Sequence, residues 1–278
     1  MSASASSRGE PTTVGRLIQH WRRARKQSQL ALALRAGVSA RHLGFVEVGR
    51  AQPSREMVLL LAGALDVPLR DRNGLLLAAG YAPLYRETGL QAPEMEHAGK
   101  ALRLILEHQE PYPAVVMDRH WNMVTANAGA ERFFSRLIAL PAGAQPPNII
   151  RLMFDPRGLR PYVANWEAVA EGLVQRVHRE ALGGLPDETT FGLLEEVLSY
   201  PGVPKRWRSP DLLSTPKPYL AVEFRKGELA MDFFSTVTTL GTPLDITLQE
   251  LRIECFFPAS EPTVAAVREL SGRAEPAP

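Results

Sequence analysis

One cysteine, Cys255, is present among 278 residues, so no disulfide closes within the chain, and a lone thiol suits a reducing cytoplasm. No apolar run reaches about 18 residues, so no transmembrane helix is expected. The start, MSASASSRGEPTT, lacks the apolar centre of a signal peptide and reads as a disordered tail over 1–12. Histidine is sparse: the six stand at 20, 42, 97, 108, 120 and 178, without the paired spacing of a metal site. Missing too are G-x-S-x-G, H-E-x-x-H, G-x-G-x-x-G and P-loop patterns. Nothing in these absences implies an enzyme, a cofactor or a metal.

What is present is the composition of a globular protein, 45% hydrophobic and 22% charged. The net charge of +2 hides a segregation: residues 1–90 carry 13 Lys and Arg against 6 Asp and Glu, and the remainder carries 19 against 24. A basic first third on an acidic remainder points to a polyanion-binding module attached to something else.

Within that basic third, SQLALALRAGVSARHLGFVEVG (28–49) has the layout of two short helices around a tight turn. Ser28 caps the first helix through its hydroxyl, and Leu30, Ala33 and Leu34 form an apolar stripe at helical spacing. Gly37 ends it, because glycine takes the left-handed C′ conformation without a Cβ penalty. Val38 plugs the turn, Ser39 caps the next helix, Leu43 and Val46 face inward, and Gly49 stops it. A preceding helix, VGRLIQHWRRARKQ, buries Val14, Leu17, Ile18 and Trp21, with Arg22, Arg23, Arg25 and Lys26 crowding its end, where cations suit the helix dipole. Ser54 caps a fourth helix and LRDRNGLLLAAG forms a fifth, ending at Gly80. Five short helices with short loops make an all-α domain over 13–80.

The residues SQLALALRAGVSARHLGFVEVGR, the Pro-Ser pair at 53–54, LLLAGALDVP and LLLAAG resemble the lambda-repressor-like, XRE/Cro-type helix-turn-helix domain across 14–80. That resemblance implies binding to double-stranded DNA, with Arg41 the foremost base-contacting residue, because its fork matches guanine O6 and N7. Gln29 would touch the backbone or an outer base. Ala40 would meet a thymine methyl; Phe45 would do the same or stand as an exposed apolar residue; His42 is either a contact or a plain surface residue. Arg22 and Arg50 would neutralise phosphates, which adds affinity without sequence information. Glu47 reads as structural, tying helices together. Gly44 departs from the family, which often has a polar residue there, and it weakens the helix by roughly 1 kcal/mol relative to Ala.

Residues 81–96, with two prolines and two tyrosines in no period, read as a linker. The rhythm then changes. A helix over AGKALRLILEHQE is followed by the strands PAVVMD and NMVTA, and Asn127 caps a helix, AGAERFFSRLIAL. IIRLMFDPRGLRP is apolar but irregular. Two further helices follow, WEAVAEGLVQRVHREAL and ETTFGLLEEVLSY, then a proline-rich loop over 201–218. The strands YLAVEFRK, ELAMDFFSTVTTL and ITLQELRIECFF alternate in period two. This order predicts an α+β domain with an antiparallel sheet of about five strands over 97–260, then a tail over 261–278.

The order resembles a PAS-like sensor. More closely, DRHWNMVTANAGAERFF, LMFDPRGLRPYVANWE and FFSTVTTLGTPLDITLQELRIECFFP resemble the MmyB-like ligand-binding domain found behind XRE helix-turn-helix domains. That resemblance implies a pocket between sheet and helices for a small apolar ligand, fatty-acid-like in at least some members. Trp121, Phe133, Phe154, Trp166, Met231 and Phe233 are its candidate liners, although aromatic and Met residues at such spacings are as readily plain core. Arg157 or Arg160 would pair with a ligand carboxylate, or else make a turn salt bridge to Asp155 or Glu167. Cys255, alternating with apolar residues, reads as a buried inert thiol.

The expectation is therefore a multidomain, cytoplasmic transcription regulator: an all-α five-helix DNA-binding domain followed by an α+β PAS-like domain. One recognition helix reads few base pairs, so a homodimer on a pseudo-palindromic operator is expected. The alternative is an antitoxin-like or scaffold DNA-binding protein whose C-terminal domain serves dimerisation or protein contacts without a ligand.

Overall fold

The computed structural model describes residues 14–139, 146–209, 221–241 and 243–272; the tail read over 1–12 lies outside them. The chain divides into two compact units, one of residues 1–87 with Leu244–Ile246, the other of the rest.

The first unit is five helices, α1 (Val14–Ala24), α2 (Gln29–Ala36), α3 (Ala40–Glu47), α4 (Arg55–Ala64) and α5 (Leu69–Ala78). Three serines start three of them. Ser28 Oγ accepts from Ala31 N at 3.1 Å, Ser39 Oγ from His42 N at 3.4 Å and Ser54 Oγ from Met57 N at 3.2 Å, each satisfying a first-turn donor that the helix itself cannot. Gly37 closes α2 at φ 67° in the left-handed region. Ile18, Trp21, Leu32, Leu43, Leu61, Leu65 and Leu75 fill the core. The α2 stripe differs from expectation: Leu32, Ala33 and Ala36 are buried, while Leu30 and Leu34 are 60% and 74% exposed. Residues 81–87 are no free linker. Asn73 Oδ1 accepts from the backbone of Leu84 and Tyr85, its Nδ2 donates to Tyr85 O, and Tyr81 Oη donates to Pro53 O, which straps the segment onto the helices.

The second unit is built on a five-stranded antiparallel sheet in the order β2-β1-β5-β4-β3, with β1 Ala114–Met117, β2 Met123–Ala126, β3 Ala221–Lys226, β4 Leu229–Thr238 and β5 Arg252–Pro258. Side chains alternate across it. Ala114, Val116, Ile253 and Cys255 pack with Leu102 and Leu106 of α6 (Glu96–His108). Val115, Phe224, Met231, Phe233 and Phe256 face the main core with α7 (Ala128–Leu137), α8 (Ile149–Phe154), α9 (Trp166–Gly183) and α10 (Glu188–Ser199). Both sheet edges are covered, which removes an aggregation template. Ala164 N donates to Glu223 O and Asn165 Nδ2 to Ala221 O along β3, while Met123 N donates to Pro147 O beside β2.

Three elements differ from the sequence reading. The segment at 149–154, read as irregular, is helix α8, capped by Asn148 Oδ1 accepting from Arg151 N. The first part of the last expected strand is instead a short helix, α11 (Ile246–Glu250). The expected tail contains α12 (Glu261–Leu270), whose Val267 is buried in the main core and whose Thr263 Oγ1 accepts from Asp232 N; apolar residues at its helical spacing dock it rather than leave it free.

Candidate functional site

In the helical unit, α3 presents Arg41, His42 and Phe45 to solvent, while Ala40 is half-buried and packs against the core. The Arg41 guanidinium lies 5.5 Å from the Phe45 ring centroid, a cation–π contact that organises this face. Arg50 is exposed just past α3. Behind the face sits a polar knot. Glu47, buried at the end of α3, accepts from Arg22 Nε at 2.7 Å and Nη2 at 2.8 Å, and from Gln29 Nε2 at 2.7 Å. Burial pushes the Glu47 carboxyl up, but the hydrogen bonds from Arg22 and Gln29 and the charge of Arg22 outweigh it and hold it below the ordinary glutamate range.

This corrects the expected phosphate role of Arg22. It is buried and bidentate to Glu47, so its charge is spent inside the unit, joining α1 to α3 with the fork geometry that arginine supplies. Gln29 is committed in part, its amide N–H donating to Glu47. Backbones approach closely at the same junction. A Cβ on Gly15 would lie 2.1 Å from Val46 O, so only glycine fits there.

The second unit contains a cavity of about 360 Å³ between the sheet and the helices, within the roughly 300–1,000 Å³ of ligand pockets. Val115, Val222, Phe224, Ser235, Glu254 and Phe256 line it from the sheet. Val169, Gly172, Leu173 and Arg176, at helical spacing on α9, line it from the other side, joined by Phe134, Met153 and Trp121. Trp121 sits at φ 68° in the tight turn between β1 and β2. Its Nε1 donates to Glu180 Oε2 at 3.0 Å, and the guanidinium carbons of Arg176 and Arg252 lie 4.6 and 5.2 Å from its ring. Glu180 Oε1 accepts from Arg176 Nε at 3.2 Å. It also stands 3.0 Å from Arg252 Nη1, an ion-pair contact not aligned as a hydrogen bond.

Of the expected liners only Trp121 is at the cavity wall. Phe133 is core, edge-on to Phe224 and Phe233 at 4.9 and 5.2 Å, and Phe233 is buried in the same cluster. Phe154 and Trp166 pack edge to face, with Trp166 Nε1 donating to Met153 O. Met231 borders a separate, more open depression with Lys226 and Glu269. Neither arginine of the 155–161 turn reaches the cavity. Arg157 has a 91% exposed side chain and pairs with Asp155, the alternative its sequence left open. Arg160 lies over the Trp166 ring at 3.9 Å and donates to Pro201 O. For the aromatic candidates the physical reason is shared: an aromatic packed against its neighbours and one facing a void have the same pattern in sequence. The signal that was available is the α9 stripe 169–172–173–176, which is apolar until it reaches an arginine.

The outward-facing α3 of the five-helix unit and the walled cavity of the α+β unit are the two candidate sites, and a family model matches each unit. The chain belongs to the family whose model is the MmyB-like transcription regulator ligand binding domain, matched over residues 98–270, and a helix-turn-helix family model matches residues 18–71. No curated protein matches it. Among solved structures it is similar to "Structure of an RNA-binding Light-Oxygen-Voltage Receptor" at 13% identity and a TM-score of 0.26 over 96% of this chain, of which it spans 62%; a likeness that remote carries no argument. No helix among the described residues is long and apolar enough to cross a membrane.

Proposed function

We propose that the chain is a cytoplasmic, sequence-specific transcription regulator that binds a pseudo-palindromic operator as a homodimer and responds to a small apolar, fatty-acid-like ligand held in the cavity of its second unit. The observation that carries the ligand half is that cavity, with its mostly apolar wall and few polar groups, which is the make-up of small-molecule sites. For the DNA half, Arg41 would read a base edge, with Ala40, His42, Phe45 and Gln29 beside it and Arg50 on a phosphate. Half-sites about one helical turn (~34 Å) apart, or a multiple of it, suit two such heads.

Mass spectrometry of a solvent extract from the purified full chain tests the ligand half against Leu173→Trp, which fills the cavity from α9. A stoichiometric apolar molecule recovered from the wild type and absent from the folded variant supports the reading. A molecule recovered equally from both, or none from either, overturns it in favour of a domain that serves dimerisation or protein contacts alone.

A further inference from the structure

Glu254, half-buried, is out of place on an apolar cavity wall. It stands in β5, the central strand of the sheet, opposite Val115 of β1 and Val237 of β4. Its side chain is on the cavity wall among Phe134, Val169, Leu173, Val222 and Phe256. An apolar residue there would simply extend the core; a carboxyl costs desolvation unless its polar atoms are matched. The protein matches one of them: Ser235 Oγ donates to Glu254 Oε1 at 2.6 Å. Among the described residues no basic side chain lies within 4.0 Å of it, and Arg176, whose charge acts on it across the cavity, is held by Glu180 and by the Trp121 ring.

Resting on the reading of the cavity as a ligand site, and narrowing its fatty-acid-like ligand to one whose head group is uncharged, we propose that Glu254 and Ser235 are its specificity determinant, and that the ligand carries a hydroxyl or carbonyl oxygen on an apolar body, seated at Glu254. With Oε1 taken by Ser235, a protonated Glu254 has one O–H left to donate, and a hydroxyl or carbonyl oxygen accepts it. Burial pushes the Glu254 carboxyl up, against the hydrogen bond from Ser235 and the charge of Arg176, which agrees with a carboxyl used as a neutral donor. A ligand carboxylate would bring a second acid to a carboxyl that is already poorly solvated. A ligand ammonium would add a cation to a cavity whose wall already holds Arg176 and Arg179.

Four ten-carbon probes separate these cases: decane, decanol, decylamine and decanoate, each displacing a cavity-bound apolar fluorophore from the full chain. Glu254→Leu is expected to weaken decanol about tenfold relative to decane, the worth of one buried hydrogen bond. Glu254→Gln, which keeps a donor and an acceptor, is expected to hold decanol within about threefold, and Ser235→Ala to fall between. Thermal melts confirm that each variant is folded. Equal losses for decanol and decane in Glu254→Leu overturn the proposal by showing packing alone. A selective loss of decylamine in Glu254→Gln overturns it in favour of a counter-ion, and tightest binding by decanoate overturns it in favour of an anion site. If no probe displaces the fluorophore, decane included, the cavity is not a ligand site, and the parent reading falls with the proposal.

Discussion

Removing either partner of the Arg22–Glu47 pair strands the other charge in the interior of the helical unit, because both side chains are buried and their hydrogen bonds are mutual. Glu47→Ala is expected to cost about 3–5 kcal/mol of stability, read from urea denaturation. Arg22→Lys is the sharper test of role. A lysine still neutralises a phosphate but cannot reproduce the fork on Glu47. If Arg22 is structural, the variant loses stability; retained stability with weakened DNA binding would restore the phosphate role. The pair also sets a pH dependence. The Glu47 carboxyl is held below its ordinary value in the folded unit. Its contribution is therefore complete above the ordinary glutamate value and is lost as pH falls through the folded one. Glu47→Gln should flatten the acid limb of the stability curve. On the outer face, Arg41→Ala is expected to weaken operator binding by about 1–3 kcal/mol and to relax preference at one base pair; a selection of bound sequences that comes out unchanged would remove Arg41 from the reading face.

At the scale of elements, two glycines in the helical unit make opposite forecasts for one substitution. Gly15 in α1 has Val46 O where a Cβ would go, so Gly15→Ala must push α1 and α3 apart and should cost about 1–3 kcal/mol. Gly44 in α3 meets only the Gln29 Oε1 atom at 3.7 Å, ordinary contact, so Gly44→Ala should stabilise by roughly 0.5–1 kcal/mol through helix propensity. Thermal melts of the two variants moving in the same direction would contradict this account of the α1–α3 contact. The Gly44 sign is legible in the sequence from helix propensity; the Gly15 sign is not, because an isolated helix glycine reads the same there and only the contact with Val46 O reverses it. What is legible follows local rules. The caps at Ser28, Ser39, Ser54 and Asn127 and the left-handed end at Gly37 satisfy backbone groups within a few residues, so they can be read one stretch at a time. The β3–β4 hairpin shows through period two. Helix α8 has only six residues and its start is tied by Asn148 to His120 O and Asn122 Oδ1, while α12 is held by the core around Val267, contacts that the local pattern does not carry. The cavity escaped most fully. Along β5 and the residue before it, period two marks Leu251, Ile253, Cys255 and Phe257 as the buried set, and they do pack in the cluster under α6. The opposite set, Arg252, Glu254 and Phe256, turns to the cavity side of the sheet, where Arg252 meets Glu180 of α9 and Phe256 packs on Phe134 of α7.

Across the whole molecule, the proposed function puts DNA affinity in the basic first unit and ligand affinity in the second, two separate bodies of the chain. Sensing then requires a coupling free energy between them, and thermodynamics makes that coupling reciprocal. A ligand that binds both DNA-competent and DNA-incompetent arrangements equally shifts nothing, however tightly it binds. The measurement uses the full chain, its operator and decanol as probe. Operator affinity is titrated with and without saturating decanol, and decanol affinity is titrated with and without saturating operator. The expected outcome is a change of about 5–150-fold, the usual span of such couplings, with the same factor and sign in both titrations. The Leu173→Trp variant should bind operator with one affinity regardless of decanol, because the probe has nowhere to go. A factor of one in the wild type, with decanol bound, would mean that the second unit holds its ligand without reporting it, and the regulator would have to take its signal from elsewhere. Unequal factors in the two directions would show a third equilibrium, such as dimerisation, taking part in the cycle, and repeating both titrations across protein concentration would then expose it, because only an association step changes with dilution.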